Sequence, residues 1–216
     1  VITASEGDDL SVYPLPYHDA NNGGANFLFR NNGDWELVNV TRESGLASQN
    51  NTRFSLAASW GDYDDDGDPD LYVANDYGRN SLFRNDNGRF TDVAAEAGVE
   101  DIAAGMSVSW GDVNGDGRID LYVSNMFSSA GSRIAYQRNF KSGSNERLRG
   151  YYQRHARGNS LFENAGDGTF RDVSVERAVT MGRWAWGSVL IDLNNDGRRD
   201  IFVANGFLSQ EDTGDL

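Results

Sequence analysis

Three copies of one acidic loop constrain this chain more than any other feature: Asp62-Tyr-Asp64-Asp-Asp66-Gly67-Asp68-Pro-Asp70, Asp112-Val-Asn114-Gly-Asp116-Gly117-Arg118-Ile-Asp120 and Asp192-Leu-Asn194-Asn-Asp196-Gly197-Arg198-Arg-Asp200. A hard cation such as Ca²⁺ takes about six to eight oxygens, and side chains at loop positions 1, 3 and 5 converge on one point if the backbone turns sharply at position 6. Glycine stands at position 6 in all three loops, and position 9 is aspartate each time. Position 7 is expected to give a main-chain carbonyl, which makes its side chain irrelevant, and Asp68, Arg118 and Arg198 interchange there. The side-chain ligands expected are therefore Asp62, Asp64, Asp66 and Asp70, then Asp112, Asn114, Asp116 and Asp120, then Asp192, Asn194, Asp196 and Asp200. About three Ca²⁺ would be held.

An EF-hand needs a bidentate glutamate at position 12, where this chain has Val73, Val123 and Val203. Each loop instead runs into Leu71-Tyr-Val-Ala-Asn75, Leu121-Tyr-Val-Ser-Asn125 or Ile201-Phe-Val-Ala-Asn205, whose β-branched and aromatic residues suit a buried strand. The loops link strand to strand. With 25 glycines and three prolines scattered between short apolar runs, the 216 residues read as an all-β domain or part of one. An apolar content of 38% is enough to build a core. No apolar run is long enough to cross a bilayer as a helix, and no signal-peptide shape is present at Val1. The lack of cysteine removes disulfides, zinc thiolate sites and thiol nucleophiles together. A net charge of −14 argues against nucleic acid and anionic lipid as partners of the whole surface. Three Ca²⁺ would bring that −14 to −8, so the ion-free form is expected to be the less stable one.

The chain repeats itself. Asn26-Phe-Leu-Phe-Arg-Asn31 recurs as Asn80-Ser-Leu-Phe-Arg-Asn85 and Asn159-Ser-Leu-Phe-Glu-Asn164. Each is followed by a turn and strand, at Gly33–Val40, Gly88–Val93 and Gly168–Val173, and then by a polar piece ending near Gly45-Leu46, Gly98-Val99 or Ala178-Val179. The last part of each unit leads into the loop: Ser59-Trp60-Gly61, Ser109-Trp110-Gly111, and Val189-Leu190-Ile191. Four short strands per unit is the arithmetic of a β-propeller blade. The units expected are 26–79, 80–125 and 159–205, with a degenerate partial repeat at 1–25, a basic insertion at 126–158 and a tail at 206–216. The remnant rests on Gly7–Val12, which echoes Gly67–Val73 one residue short. Propellers close with about four to eight blades, so the chain reads as a segment of a larger propeller, or one completed by other chains.

The string Asn-x-Leu-Phe-x-Asn, then Gly-x-Phe-x-Asp-Val, then Ser-Trp-Gly-Asp-x-Asp/Asn-x-Asp-Gly-x-x-Asp-Leu-Tyr-Val resembles the FG-GAP/VCBS repeats of integrin α-subunit propellers over roughly residues 26 to 205. The branch it resembles most is the bacterial and cartilage-acidic-protein one, often found with an ASPIC/UnbV domain. The resemblance implies a calcium-stiffened propeller, secreted or on the cell surface, used for adhesion or as a scaffold. Two departures are Val189-Leu190-Ile191 in place of Ser-Trp-Gly and the lack of an ASPIC/UnbV domain within these residues.

Other features are weaker. Trp60, Trp110, Trp184 and Trp186, with Phe29, Phe83 and Phe162, are expected in the packing between blades, Trp184 and Trp35 being the better candidates for exposure; the other reading is a carbohydrate-stacking platform. The insertion carries Arg133, Arg138, Lys141, Arg147, Arg149, Arg154 and Arg157 against Glu146 alone, and Leu148, Tyr151, Tyr152 and His155 are spaced for a short amphipathic helix. It is read in two ways, as an arm that docks an acidic glycan, a lipid phosphate or a protein partner, or as one that folds back on its own acidic propeller. The sequons Asn39-Val-Thr41 and Asn50-Asn-Thr52 are treated as chance. There is no Gly-x-Ser-x-Gly, and the aspartates that look paired are those the calcium needs. The leading expectation is a non-enzymatic calcium-binding module for protein or glycan partners outside the cytoplasm. The alternatives are a calcium-dependent polysaccharide lyase or hydrolase, for which His18, His155 and Tyr151 are the suggestive groups, and a structural subunit of an extracellular fibre or surface layer.

Overall fold

The computed structural model describes residues 18–49, 52–127 and 129–206. The remnant at Gly7–Val12, Asn50 and Asn51 of the second sequon, and all of the expected tail except Gly206 lie outside them. Strands β1 (Phe29–Asn31) and β2 (Leu37–Asn39) form a hairpin; β3 (Phe54–Gly61) and β4 (Asp70–Asp76) flank the first acidic loop. After the two-residue β5 (Gly78–Arg79) come β6 (Ser81–Asp86) and β7 (Arg89–Asp92), then the single turn α1 (Ala94–Ala97). Strands β8 (Ile102–Gly111) and β9 (Asp120–Met126) flank the second loop, followed by the helices α2 (Ser129–Ala135) and α3 (Glu146–His155). Strands β10 (Ser160–Asn164) and β11 (Phe170–Asp172) precede β12 (Ala185–Ile191) and β13 (Asp200–Asn205), which flank the third loop.

The sheets are β3-β4-β6-β7 and β8-β9-β10-β11, each an antiparallel meander, with β5 added to the free edge of β8. Hairpins β1–β2 and β12–β13 stand as two-stranded sheets. These are the blades of a propeller arc, and they run two strands out of phase with the sequence unit. The acidic loop joins the first two strands of a blade, and the Asn-x-Leu-Phe strand pairs back on the strand that leaves the loop, Phe83 opposite Leu71 and Phe162 opposite Leu121. A blade therefore begins before the loop, whereas the repeat unit begins after it. A β-bulge recurs at one place in each first strand, between Ser55 and Ala57, Gly105 and Ser107, and Ala185 and Gly187.

The core lies between sheets. Tyr72, Leu82, Val99, Leu121, Val123, Phe162 and Phe170 are buried together, with Trp110 packed against them. Trp110 lies on Gly61 of the preceding blade, where a Cβ would come within 2.9 Å of the indole. Leu190 lies in the same way on Gly111, where a Cβ would meet it at 3.2 Å. Glycine is kept in Trp-Gly-Asp because the next blade sits on it. Ile191, in the glycine position of the third unit, offers no such seat. Tyr72 and Tyr122 each send a hydroxyl to the carbonyl that ends the polar piece, Val99 at 2.7 Å and Val179 at 3.2 Å.

Several aromatic expectations need correction. Phe83 and Phe162 are buried, but Phe29 is exposed because no described strand pairs with β1 on the side where β4 and β9 hold its counterparts. Trp60 is half exposed, lining an open cavity with Phe27 and Leu28 and lying 6.0 Å from the Phe90 ring. Trp186 is the bulge residue of β12 and not the counterpart of Trp60 and Trp110, a place held by Leu190; it is exposed and donates to the Gly206 carbonyl. Trp35 is exposed as expected, while Trp184 is half-buried against Trp186.

The insertion leaves its blade undisturbed. Asn75 N donates to Asn80 Oδ1 at 2.8 Å across the short β4–β6 connection, and Asn125 N donates to Asn159 Oδ1 at 2.8 Å across the long one. Loop-closure entropy grows only slowly with length, so two asparagines that fix the ends let the segment grow between them. Helix α3 is capped by Asn145, which accepts from Leu148 N, and it turns Arg154 toward Asp101 and Asp172. Arg157 also reaches Asp172, at 2.7 Å, so this part of the basic arm does fold back on its own acidic sheet. His18 stacks on Tyr151, with ring centroids 6.1 Å apart, which brings two of the three groups considered for catalysis together through ring faces.

Burial alone would raise the Asp172 carboxyl, but Arg154, the Ser174 hydroxyl and Arg157 outweigh it and bring its pKa down to about 2. A folded pKa below the unfolded value of about 3.9 gives stability that is present above pH 4 and is lost as pH falls through 2. Asp172→Asn is expected to cost about 2 kcal/mol at neutral pH, and the difference from wild type should vanish near pH 2. Urea unfolding of both proteins between pH 2 and 7 checks this; a constant difference would show that Asp172 is not the titrating anchor.

Candidate metal centre

All three acidic loops have one backbone. Left-handed residues stand at position 6, Gly67, Gly117 and Gly197 (φ 91°, 88° and 86°), and again at position 4, Asp65, Gly115 and Asn195 (φ 58°, 80° and 59°). Asp, Asn and Gly are the types that reach this region most easily. The residue types at position 4 answer to this second requirement.

The carboxylate at position 1 gathers the turn. Asp62 accepts from the amides of Asp66 and Gly67, Asp112 from those of Gly115, Asp116 and Gly117, and Asp192 from those of Asp196 and Gly197. Position 5 accepts from the amide of position 7 in each loop, at 2.8, 2.9 and 3.0 Å for Asp66, Asp116 and Asp196. These bonds fold the turn back on the carboxylates at positions 1 and 5. In the first loop, single oxygens of Asp62, Asp64 and Asp70 lie within 4.8 Å of one another. That is the spacing of oxygens sharing an ion at about 2.3–2.6 Å. In the second and third loops an asparagine stands at position 3, with its Oδ1 accepting from the amide of position 5, at 2.9 Å in Asn114 and 3.1 Å in Asn194.

Position 9 has a second duty. Asp70 is fully buried, Oδ2 accepting from Tyr63 N at 3.1 Å and Oδ1 from Asn85 N at 2.8 Å. Asp120 repeats this with Val113 N and Asn164 N, both at 2.9 Å. Asp200 accepts from Leu193 N at 3.1 Å. The asparagines that meet these aspartates are themselves tied to the loops. Asn85 Nδ2 donates to the Pro69 carbonyl, and Asn164 Nδ2 donates to Ile119 of its own loop and to Tyr63 of the loop in the neighbouring blade. Both are the final asparagine of Asn-x-Leu-Phe-x-Asn, a position whose recurrence was visible in the sequence and whose partners were not.

The side chain at position 7 matters, contrary to expectation. Asp68 accepts from Asn87 N at 2.7 Å, and Arg118 crosses Gly166 to donate to the Asn164 carbonyl. Each fastens the loop to the outer hairpin of its blade, which is why the residue type varies with the hairpin it meets. One further group faces position 3 from that hairpin: Glu163, which accepts from Asn114 Nδ2 at 2.9 Å.

The electrostatics differ between loops. Burial pushes Asp70 up to about 6, with the amides of Asn85 and Tyr63 opposing and Asp64 and Asp66 adding. Burial and the neighbouring Asp66 and Asp62 also raise Asp64. Asp112 goes the other way, burial being overcome by the amides of Gly117, Gly115 and Asp116, and Asp192 is lowered chiefly by the Gly197 amide. Asp120 is raised as Asp70 is, by burial with Asp116 and Asp112 adding, so crowded carboxylates oppose one another in the first two loops and a divalent cation there would relieve them.

The chain matches the family model described as FG-GAP-like repeat over residues 62–123 and 149–203, more than half its length, and belongs to that family. The fold and the repeated loop therefore define a propeller-type binding or scaffold module. No curated protein matches it. No helix among the described residues is long and apolar enough to cross a membrane.

Asn164→Ala would leave the Tyr63 and Ile119 carbonyls without that donor and the Gly166 amide without its acceptor, Asn164 Oδ1, at a buried node. A loss of about 2–4 kcal/mol is expected, measured by urea unfolding in EDTA so that any ion is removed from the comparison. An unchanged midpoint would show that the node carries no stability of its own.

Proposed function

We propose that this chain is a calcium-stiffened propeller segment, non-enzymatic, that presents binding surfaces for protein or glycan partners outside the cytoplasm, in the cartilage-acidic-protein and ASPIC/UnbV-associated branch of its family. Three Ca²⁺ would be held by Asp62, Asp64, Asp66 and Asp70, by Asp112, Asn114, Asp116 and Asp120, and by Asp192, Asn194, Asp196 and Asp200, with the carbonyls of Asp68, Arg118 and Arg198 completing each set. The observation that carries this is the convergence of Asp62, Asp64 and Asp70 to within 4.8 Å of one another, on a backbone that the other two loops repeat. An all-oxygen donor set suits a hard cation. The ion would then hold the first two strands of each blade at the loop while position 9 ties the same loop to the outer pair. Calcium concentrations outside the cytoplasm fit loops of this kind. The sequence units expected at 26–79, 80–125 and 159–205 then mark successive loops, and the blades are the same period shifted by two strands.

Elemental analysis of the purified chain should find about three calcium ions. Thermal unfolding should shift upward by many degrees between EDTA and saturating calcium, since each site contributes about 2.7 kcal/mol at a hundredfold excess over its Kd. Asp64→Ala or Asp116→Ala should remove one ion and loosen its own blade. A protein without calcium and with one midpoint in both buffers would reduce the loops to acidic turns.

A further inference from the structure

Resting on the calcium reading above, the geometry points to Glu163 as a positioning residue for the second loop, one that fixes which end of the Asn114 amide faces the ion. An asparagine ligand has an ambiguity that aspartate lacks, because Oδ1 and Nδ2 are nearly the same size and only the oxygen binds a cation. Its hydrogen-bond partners decide the matter. Asn114 Oδ1 accepts from Asp116 N at 2.9 Å inside the loop, while Nδ2 donates to Asp116 Oδ2 at 3.0 Å and to Glu163 Oε1 at 2.9 Å. A carboxylate only accepts, so Glu163 can be satisfied by Nδ2 alone. Glu163 is itself held: its Oε2 accepts from Arg171 Nη2, and Arg171 Nη1 is paired with Glu176 at 2.8 Å. A line of charge runs from Glu176 through Arg171 and Glu163 to the ligand, of the kind that orients ligands at other metal sites.

The first blade supplies the contrast within one chain. At the place of Glu163 in Asn-x-Leu-Phe-x-Asn it has Arg84, and at the place of Asn114 it has Asp64. Arg84 is held on the outer hairpin of that blade by Asp86, Nη2 to Oδ2 at 3.1 Å. Aspartate needs no orienting partner and would be repelled by a facing carboxylate, so a cation suits it. Asparagine needs an acceptor, and a carboxylate suits that. The residue at position 3 and the residue at the Glu163 place thus change together between the two blades.

Glu163→Gln is the informative variant, because Arg171 would claim the one remaining oxygen and turn the new amide nitrogen toward Asn114. Asn114 would then meet a donor with its own donor while its bonds to Asp116 resist rotation, so the amide is pushed off its place and Oδ1 is held on the ion less firmly. Calcium titration calorimetry of the whole chain should show one of the three sites weakened roughly tenfold or more, with the other two unchanged. Asn114→Asp supplies the second arm: in that background Glu163→Gln removes a repelling carboxylate and should leave affinity unchanged or tighten it. A merely structural Glu163 would weaken binding, or leave it alone, in both backgrounds, and that result would overturn the inference. Wild-type protein that binds no calcium would instead sink the calcium reading itself, and three unaltered sites in Glu163→Gln would sink only the role of Glu163.

Discussion

The rest of each blade depends on one buried carboxylate. Asp70 and Asp120 are shielded from water, yet inner hairpin, loop and outer hairpin meet at them: one oxygen takes the amide that opens the acidic loop, the other takes the amide of the asparagine that ends the Asn-x-Leu-Phe strand. A buried carboxylate is costly unless its hydrogen bonds are made. Here the bonds exist only when inner hairpin, loop and outer hairpin are all in place, so the cost of burial turns into cooperativity. The acidic loop is therefore not an appendage of the blade but its joint.

Blade-to-blade packing follows a second rule, in which a large ring or aliphatic side chain lies on a glycine. Trp110 on Gly61 and Leu190 on Gly111 are the same contact made twice with different apolar groups. Since an added Cβ would collide with the neighbour at Gly61, the glycine is fixed by packing and not by turn geometry. This also explains how the third unit departs from the repeat while still docking: Leu190 fills the place of the tryptophan on its inward side. The helical insertion obeys a third rule. It enters and leaves between Asn125 and Asn159, whose bond keeps β9 and β10 in register, and it is then clamped by Arg154 and Arg157 onto Asp101 and Asp172.

What the sequence made legible was local. Glycine and carboxylate spacing within nine residues is enough to place the loops, and the β-rich runs after them are enough to place β4, β9 and β13. What stayed hidden depends on pairing across distance. The phase of the blade, the exposure of Trp60 and Phe29 and the bulge that turns Trp186 outward all follow from which strand lies next to which, and one chain of letters does not state that. The roles of Asn85, Asn164 and Glu163 were hidden for the same reason, their partners lying 15 to 101 residues away. The side chains of position 7 were hidden likewise, since Asp68 and Arg118 meet partners on the outer hairpin, outside the nine residues of the loop.

The central claim is that the acidic loop and the outer hairpin open together, through the carboxylate at position 9. Native-state hydrogen exchange at the Asn85 and Asn164 amides tests it directly, because each amide is the donor to Asp70 or Asp120. The account predicts that both exchange only through opening of the whole blade, with protection that rises in step with global stability when calcium is added. Exchange at the rate of an exposed turn, or protection indifferent to calcium while the rest of the chain responds, would contradict it.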